Sequence, residues 1–185
     1  MTELHDPKHT RRLVLRCQLG EREAFAELVD AWHPRLWRHL HRTLGSTDAA
    51  DEVSQEVWLR VVRTIMRLRE PGAFPGWLFR IAHGSMTDRL RRQYRAAAHL
   101  ASAEPTDVTV DVPATLEPDE VEHLHAALAD LEPAHREALG LFYLEGFDIR
   151  EVADALGVPV GTVKSRLHRG RSALRHALEQ QGTTP

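Results

Sequence analysis

Residues 148–171, Asp-Ile-Arg-Glu-Val-Ala-Asp-Ala-Leu-Gly-Val-Pro-Val-Gly-Thr-Val-Lys-Ser-Arg-Leu-His-Arg-Gly-Arg, constrain the fold more than any other stretch of this chain. Ile149, Val152, Ala153 and Leu156 recur at helical spacing and give a short helix with one buried face. Gly157 stands where a helix stop favours positive φ. Pro159 suits the opening turn of a second helix, where its missing N–H costs nothing. In that second helix Val163, Leu167, Gly170, Leu174 and Leu178 form an apolar stripe. Thr162, Lys164, Ser165, Arg166, His168, Arg169, Arg171 and Arg175 lie off the stripe, and no acidic residue falls between Lys164 and His176. Two short helices around a tight turn make a helix-turn-helix, and the basic face of its second helix fits a major groove flanked by phosphates. Basic runs are more often plain solvated surface; the turn chemistry just upstream is what points this one to DNA.

The formal charge of −3 would not by itself suggest nucleic acid, but it is segregated along the chain. Residues 1–95 carry a net +5, residues 96–120 a net −6 with no Lys or Arg, and residues 121–185 a net −2. The basic surfaces are therefore local. Phosphate contacts supply most non-specific affinity, so the free chain is expected to bind DNA weakly and to depend on a partner. A single cysteine, Cys17, excludes an intramolecular disulfide and a cysteine-rich zinc site; in an apolar helix it reads as packing. No signal-peptide core opens the chain, and no apolar run approaches the roughly 18 residues a membrane span needs. A soluble, cytoplasmic protein without membrane insertion is expected, with no further C-terminal domain beyond Pro185.

Helical periodicity is nearly everywhere and strand signals are nearly absent. A first pattern runs from about Arg11 to Leu44, with Phe25, Leu28, Val29, Trp32, Leu36, Leu40 and Leu44 on one face. Pro34 is expected to kink or split it, and Gly45 to end it. Asp48 can cap a following helix to about Leu68, with Val53, Val57, Val61, Ile65 and Leu68 inward. Pro71–Gly76 reads as a loop. A further helix starts near Trp77 and runs through Leu78, Ile81 and Leu90 to Arg95. Residues 96–120, with Pro105, Pro113, Pro118 and six acids, lack apolar surface for a core and read as a flexible tether. Leu124, Leu128 and Leu131 then lead to a helix beginning at Pro133. The expected fold class is all-α: two helical domains, residues 11–95 and 121–180, joined by an acidic linker over 96–120.

In both halves, and in this order, the chain resembles a bacterial RNA polymerase sigma factor of the extracytoplasmic-function (ECF) class. Gly161-Thr-Val-Lys-Ser-Arg-Leu-His-Arg-Gly-Arg171 is similar to the recognition-helix signature of that family, and Leu131–Leu139 to the segment ahead of it. Asp48–Leu59 resembles its polymerase-binding helix; Phe74–Ala82 and Asp88–Arg92 resemble its promoter-melting stretch. The resemblance implies that the first domain is sigma region 2 and the second sigma region 4. It implies docking on the β′ clamp helices through Asp48, Asp51, Glu52, Gln55 and Glu56, and contact with the β flap. It implies −10 contacts from Phe74, Trp77, Arg80, His83, Asp88, Arg89, Arg91 and Arg92. The −35 contacts would come from Thr162, Lys164, Ser165, Arg166, His168, Arg169 and Arg171. It also implies an anti-sigma factor as a partner, and no catalytic residue, cofactor or metal. His83-Gly84-Ser85 departs from the family, where an Arg-Asn pair is common, and Ser54 replaces a usual aliphatic residue.

The residues are consistent with this on their own terms. Phe74 and Trp77 beside basic residues could stack on unpaired bases, each stack contributing about 1–3 kcal/mol, although for Trp77 the core is the better reading. Two promoter sites two helical turns apart are separated by about 70 Å, and a tether of this length reaches about 80–90 Å fully stretched. An ordinary dimeric helix-turn-helix regulator is the alternative, and it would leave the Phe74–Arg92 stretch idle. An enzyme fits worst. His39/His41 and His123/His125 are spaced two apart, on different helix faces, so neither pair chelates, and no P-loop or cofactor turn occurs.

Overall fold

The computed structural model describes residues 6–97, 128 and 131–181, and all regular structure among them is helical. Four helices make the first half: α1 (Pro7–Gln18), α2 (Arg22–Leu44), α3 (Thr47–Thr64) and α4 (Phe74–Ala97). Short 3-10 turns at Ile65–Arg67 and Pro71–Ala73 join α3 to α4. The second half holds α5 (Pro133–Leu139), a π-helical turn at Gly140–Leu144, α6 (Ile149–Leu156) and α7 (Val160–Gln181). Apart from its first two residues, which lie in α4, the acidic segment 96–120 falls outside the described residues, as does Leu124.

Several boundaries differ from expectation, each for a local reason. The pattern from Arg11 to Leu44 is two helices, because Gly20 adopts φ 88° and turns the chain between α1 and α2. Pro34 does not split α2, which runs unbroken from Arg22 to Leu44. Trp32 and Leu36, on either side of it, are both buried and anchor the two half-helices to one core. The cap of α3 is Ser46 rather than Asp48: its extended backbone lets Oγ accept from Ala49 N at 3.3 Å. Pro71–Gly76 is only half a loop. Helix α4 begins at Phe74, with Pro75 in its first turn, where an N–H is not needed. Gly45 (φ 71°) and Gly157 (φ 63°) end α2 and α6 in the left-handed conformation, as expected.

The two halves share one core. Leu13, Trp32, Leu36, Leu40, Val53, Val57, Phe74, Leu78 and Phe79 continue into Leu139, Leu141, Phe147, Val152, Leu156, Val163 and Leu167. Phe79 of α4 meets the edge of Phe147 with ring centroids 5.3 Å apart, which carries the apolar contact across the boundary. Within the second half, Gly170 lets α7 approach α5 closely. A Cβ there would lie 2.9 Å from Leu139 Cδ1.

Candidate nucleic-acid and polymerase interfaces

The helix-turn-helix is built by its caps. Asp148 accepts from Arg150 N at 2.7 Å and Glu151 N at 2.9 Å, while Glu151 accepts from Asp148 N at 2.8 Å, a reciprocal capping box that starts α6. Pro159 sits one residue ahead of α7, and its carbonyl accepts from Thr162 N and Val163 N at 2.8 and 3.2 Å. Val163, Leu167 and Gly170 are buried against the second half. Lys164, Ser165, His168, Arg169 and Arg171 are exposed, and Thr162 and Arg166 are half-buried. Five of the seven residues expected at the −35 element thus face solvent on α7, and Arg171 Nη1 also donates to Tyr143 Oη at 3.4 Å. The side chain of Leu178 lies outside the described set.

On α3, Asp48, Asp51, Glu52 and Gln55 are exposed and Glu56 half-buried. Not all of them are idle. Asp51 Oδ1 accepts from Trp37 Nε1 at 2.6 Å, and Trp37 stacks on His41, centroids 4.8 Å apart. Glu52 pairs with Arg89 of α4, and Glu56 Oε2 lies 3.4 Å from Arg92. Arg60 bridges Glu56 at 2.5 Å and Asp88 at 3.1 Å. The expected polymerase face and the expected −10 face are therefore stitched together by ion pairs. Exposed pairs of this kind add little stability, so their effect is to align α3 and α4. Ser54, the departure from an aliphatic pattern, is buried with Oγ donating to Asp51 O at 3.0 Å.

Along α4 the expected −10 residues separate into three groups. Phe74 is fully buried with its ring 5.6 Å from Trp32; as a core side chain it offers no face to a base, a correction to its placing among the −10 contacts. Trp77 is half-buried beside it, centroids 6.0 Å apart, as its core reading expects. Arg91 and Arg92 are exposed, with Asp88 and Arg89 partly covered by α3. Arg80 and His83 instead point at the second half: Arg80 Nε donates to Asp154 O at 2.9 Å, and His83 Nδ1 lies 2.9 Å from Glu137 Oε1.

That last contact belongs to a polar network the sequence reading missed. Glu145, buried, accepts from Arg35 Nε at 2.6 Å and Arg42 Nη2 at 2.7 Å, and its carbonyl accepts from Arg35 Nη2 at 2.6 Å. Arg136, also buried, donates to Arg42 O at 3.2 Å and Leu131 O at 2.9 Å. The π turn aims Glu145 inward through the bond from Glu145 N to Gly140 O at 3.0 Å. One signal was available: Glu145 is a lone charge within Leu141-Phe-Tyr-Leu-Glu-Gly-Phe147. His39 lies in the same seam. Burial first, then the charge of Arg42 and His83, holds its imidazole down to about 3. Glu137 lies 4.0 Å from its Nε2, beyond hydrogen-bond reach, and is engaged by His83. Cys17 is buried, and burial pushes its thiol up, which makes it a packing residue with little thiolate.

Comparison with known proteins decides between the readings. The Sigma-70 region 2 family matches residues 28–96, and the Sigma-70 region 4 family matches residues 122–174. The chain is 30% identical over 179 residues to the ECF RNA polymerase sigma factor SigW of Bacillus subtilis, covering 91% of this chain and 96% of SigW. The chain belongs to the ECF RNA polymerase sigma factors. It is also 32% identical over 160 residues to the RNA polymerase sigma factor CarQ of Myxococcus xanthus, covering 86% of this chain and 91% of CarQ. It is 34% identical over 164 residues to ECF sigma factor SigE of Mycolicibacterium smegmatis, covering 85% of this chain but 62% of SigE. Among solved structures, CnrH in complex with the cytosolic domain of CnrY superposes with a TM-score of 0.66 at 25% identity, covering 93% of this chain and 98% of CnrH. The sigma factor RpoE in complex with the anti-sigma factor NepR from Bartonella quintana shares the fold, with a TM-score of 0.73 at 22% identity, over 84% of this chain and 96% of that one. ECF sigma factors are transcription-initiation factors and not enzymes, and the dimeric regulator is not favoured. No described helix of this ECF sigma factor is long and apolar enough to cross a membrane.

Proposed function

We propose that this ECF sigma factor joins core RNA polymerase in the cytoplasm and directs it to promoters by reading two DNA elements with separate halves of the chain. Residues 11–95 act as region 2, residues 121–180 as region 4, and residues 96–120 tether them. The observation that carries the DNA reading is the strip on α7: exposed Lys164, Ser165, His168, Arg169 and Arg171 opposite buried Val163, Leu167 and Gly170. This strip enters the major groove of the −35 element, its cations meeting phosphates and its polar tips meeting base edges. On region 2, Trp77, Arg80, His83, Asp88, Arg89, Arg91 and Arg92 serve the −10 strand. Phe74 sets the position of Trp77 from beneath.

The polymerase-docking face is the exposed side of α3, a row of Asp48, Asp51, Glu52 and Gln55 with Glu56 at its margin. Asp51 also holds Trp37, and Glu52 and Glu56 also brace α4. Substituting those three would disturb packing and docking together. The clean test is therefore Asp48→Arg with Gln55→Arg. The unmutated chain is expected to co-purify with core RNA polymerase and support promoter-dependent transcription, while the double variant loses both and keeps its helical circular dichroism. An unmutated chain that fails to bind core polymerase would overturn this function. An anti-sigma factor as inhibitor is part of the same proposal, since solved relatives of the fold are held in such complexes.

A further inference from the structure

Helix α1 precedes residues 28–96, which match Sigma-70 region 2, and so falls outside the family match. It is nonetheless built firmly into the first half. Leu13, Val14 and Cys17 are buried, and Arg16 pairs with Glu21 at 2.7 Å and with Glu27 of α2 at 3.0 Å. Asp6 caps its start by accepting from Lys8 N at 2.9 Å. The helix also packs on α4 and on the 3-10 turns Ile65–Arg67 and Pro71–Ala73.

Its last residue makes the specific contact. Gln18 Nε2 donates to Ile65 O at 2.9 Å and to Leu68 O at 2.8 Å, so a single side-chain amide spends both its hydrogens on one turn of backbone. That turn is where the chain leaves α3, and carbonyls at a helix end lack partners within the helix. Leu68 is already extended there, at φ −71° and ψ 103°. Ile65 and Pro71 are buried and anchor the two ends of the segment. Between them Met66, Arg67, Arg69 and Glu70 are exposed and Leu68 is half-buried, so Gln18 bonds the segment in its middle. The segment leads directly into Phe74 and α4. Leu68 goes on to line the cleft beside Trp77, with Gly72, Ala73 and Gly76. A binding surface built on such a segment keeps its geometry only where surrounding bonds fix it.

We propose that Gln18 is a positioning residue for promoter opening: its bonds to Ile65 O and Leu68 O set the course of residues 65–73, and with it the cleft wall beside which Trp77 meets the −10 strand. The inference rests on the −10 role proposed for α4. The docking row Asp48–Gln55 lies in the N-terminal half of α3, away from the turn that Gln18 holds, and the −35 strip lies on α7. Polymerase docking and −35 binding are therefore independent of Gln18, and only the opening step depends on it.

The test uses holoenzyme and a promoter selected from random-sequence duplex DNA by transcription with the unmutated chain, labelled with 2-aminopurine in its −10 element. Gln18→Met keeps the length of the side chain and loses the donor, Gln18→Glu keeps the shape but only accepts, and Gln18→Lys restores a donor. Gln18→Met should open the promoter about tenfold more slowly, as expected for losing one or two neutral hydrogen bonds. Gln18→Glu should be slower still, and Gln18→Lys should recover most of the rate. Core-polymerase affinity, closed-complex binding and helical circular dichroism should match the unmutated chain in all three. In the free chain, Gln18→Met should quicken amide hydrogen exchange over residues 66–73 and leave residues 48–60 unchanged. Unchanged opening in both Gln18→Met and Gln18→Glu overturns the inference. So does a loss of core binding equal to the loss of opening, or unchanged exchange over residues 66–73. Trp77→Ala separates this inference from the −10 reading beneath it. Slow opening in Trp77→Ala with normal opening in the Gln18 variants defeats the inference alone. Normal opening in Trp77→Ala defeats the −10 role of α4, and the inference with it.

Discussion

At the residue scale, two buried polar side chains show how differently a hydroxyl and a carboxylate behave in an interior. Ser85 lies wholly buried in α4, and among the described residues its Oγ has no hydrogen-bond partner. A desolvated, unbonded hydroxyl is a cost, and Ser is a poorer helix former than Ala. Ser85→Ala is therefore expected to stabilise the chain by about 0.5–1.5 kcal/mol, read as a higher midpoint in urea; a lower midpoint would mean that Ser85 has a partner. Glu145 is the opposite case, because its carboxylate accepts from both Arg35 and Arg42, and removing it takes the countercharge from two guanidinium groups. Glu145 stood out in the sequence as a lone charge in an apolar run, whereas Ser85, in His83-Gly-Ser-Met-Thr-Asp88, did not. Whether a partner arrives from another helix is not a local property.

At the scale of elements, α7 carries both the DNA-facing strip and the contact that orients it. A Cβ on Gly170 would lie 2.9 Å from Leu139 Cδ1 and 3.2 Å from its Cγ, so a branched side chain there would crowd the buried Leu139. Gly170→Val is expected to push the helices apart and cost about 1–3 kcal/mol. It should also weaken −35 DNA binding by the polymerase complex more than binding to polymerase itself, measured by promoter footprinting beside co-purification. Equal loss of both would place the damage elsewhere. The glycine was visible in the apolar stripe of α7, but its role was not, since periodicity marks a face and says nothing of what packs on it. The same limit explains α2. Pro34 predicts a break from local rules, and the buried flanks Trp32 and Leu36 outweigh them.

At the scale of the molecule, His39 reports on the seam. Facing it are Arg42 of its own helix, Phe79 and His83 of α4, and Glu137 and Gly140 of the second half. Its imidazole is held down to about 3, against an ordinary value of 6.5. Between those two values an unfolded chain binds a proton that the folded one refuses, so this contribution to stability is complete above 6.5 and declines as pH falls toward 3. The thermal midpoint should drop on acidification through that window, and His39→Phe should flatten the drop; an equal slope in the variant would assign it to other groups. The helices and the helix-turn-helix with its glycine stop and acid-free strip were legible in the sequence, because propensity, periodicity and turn chemistry act over a few residues, and the family was legible as a resemblance of motifs in both halves. The order of the two halves was legible for the same reason. What only the tertiary structure decided is which side chains are engaged by other elements: Phe74 in the core, Glu52 and Glu56 by α4, Arg80 and His83 by the second half, and Glu137 and Glu145 across the seam. Those partnerships join residues 36 to 110 positions apart, and a pairing across that distance exists only once the intervening helices have packed.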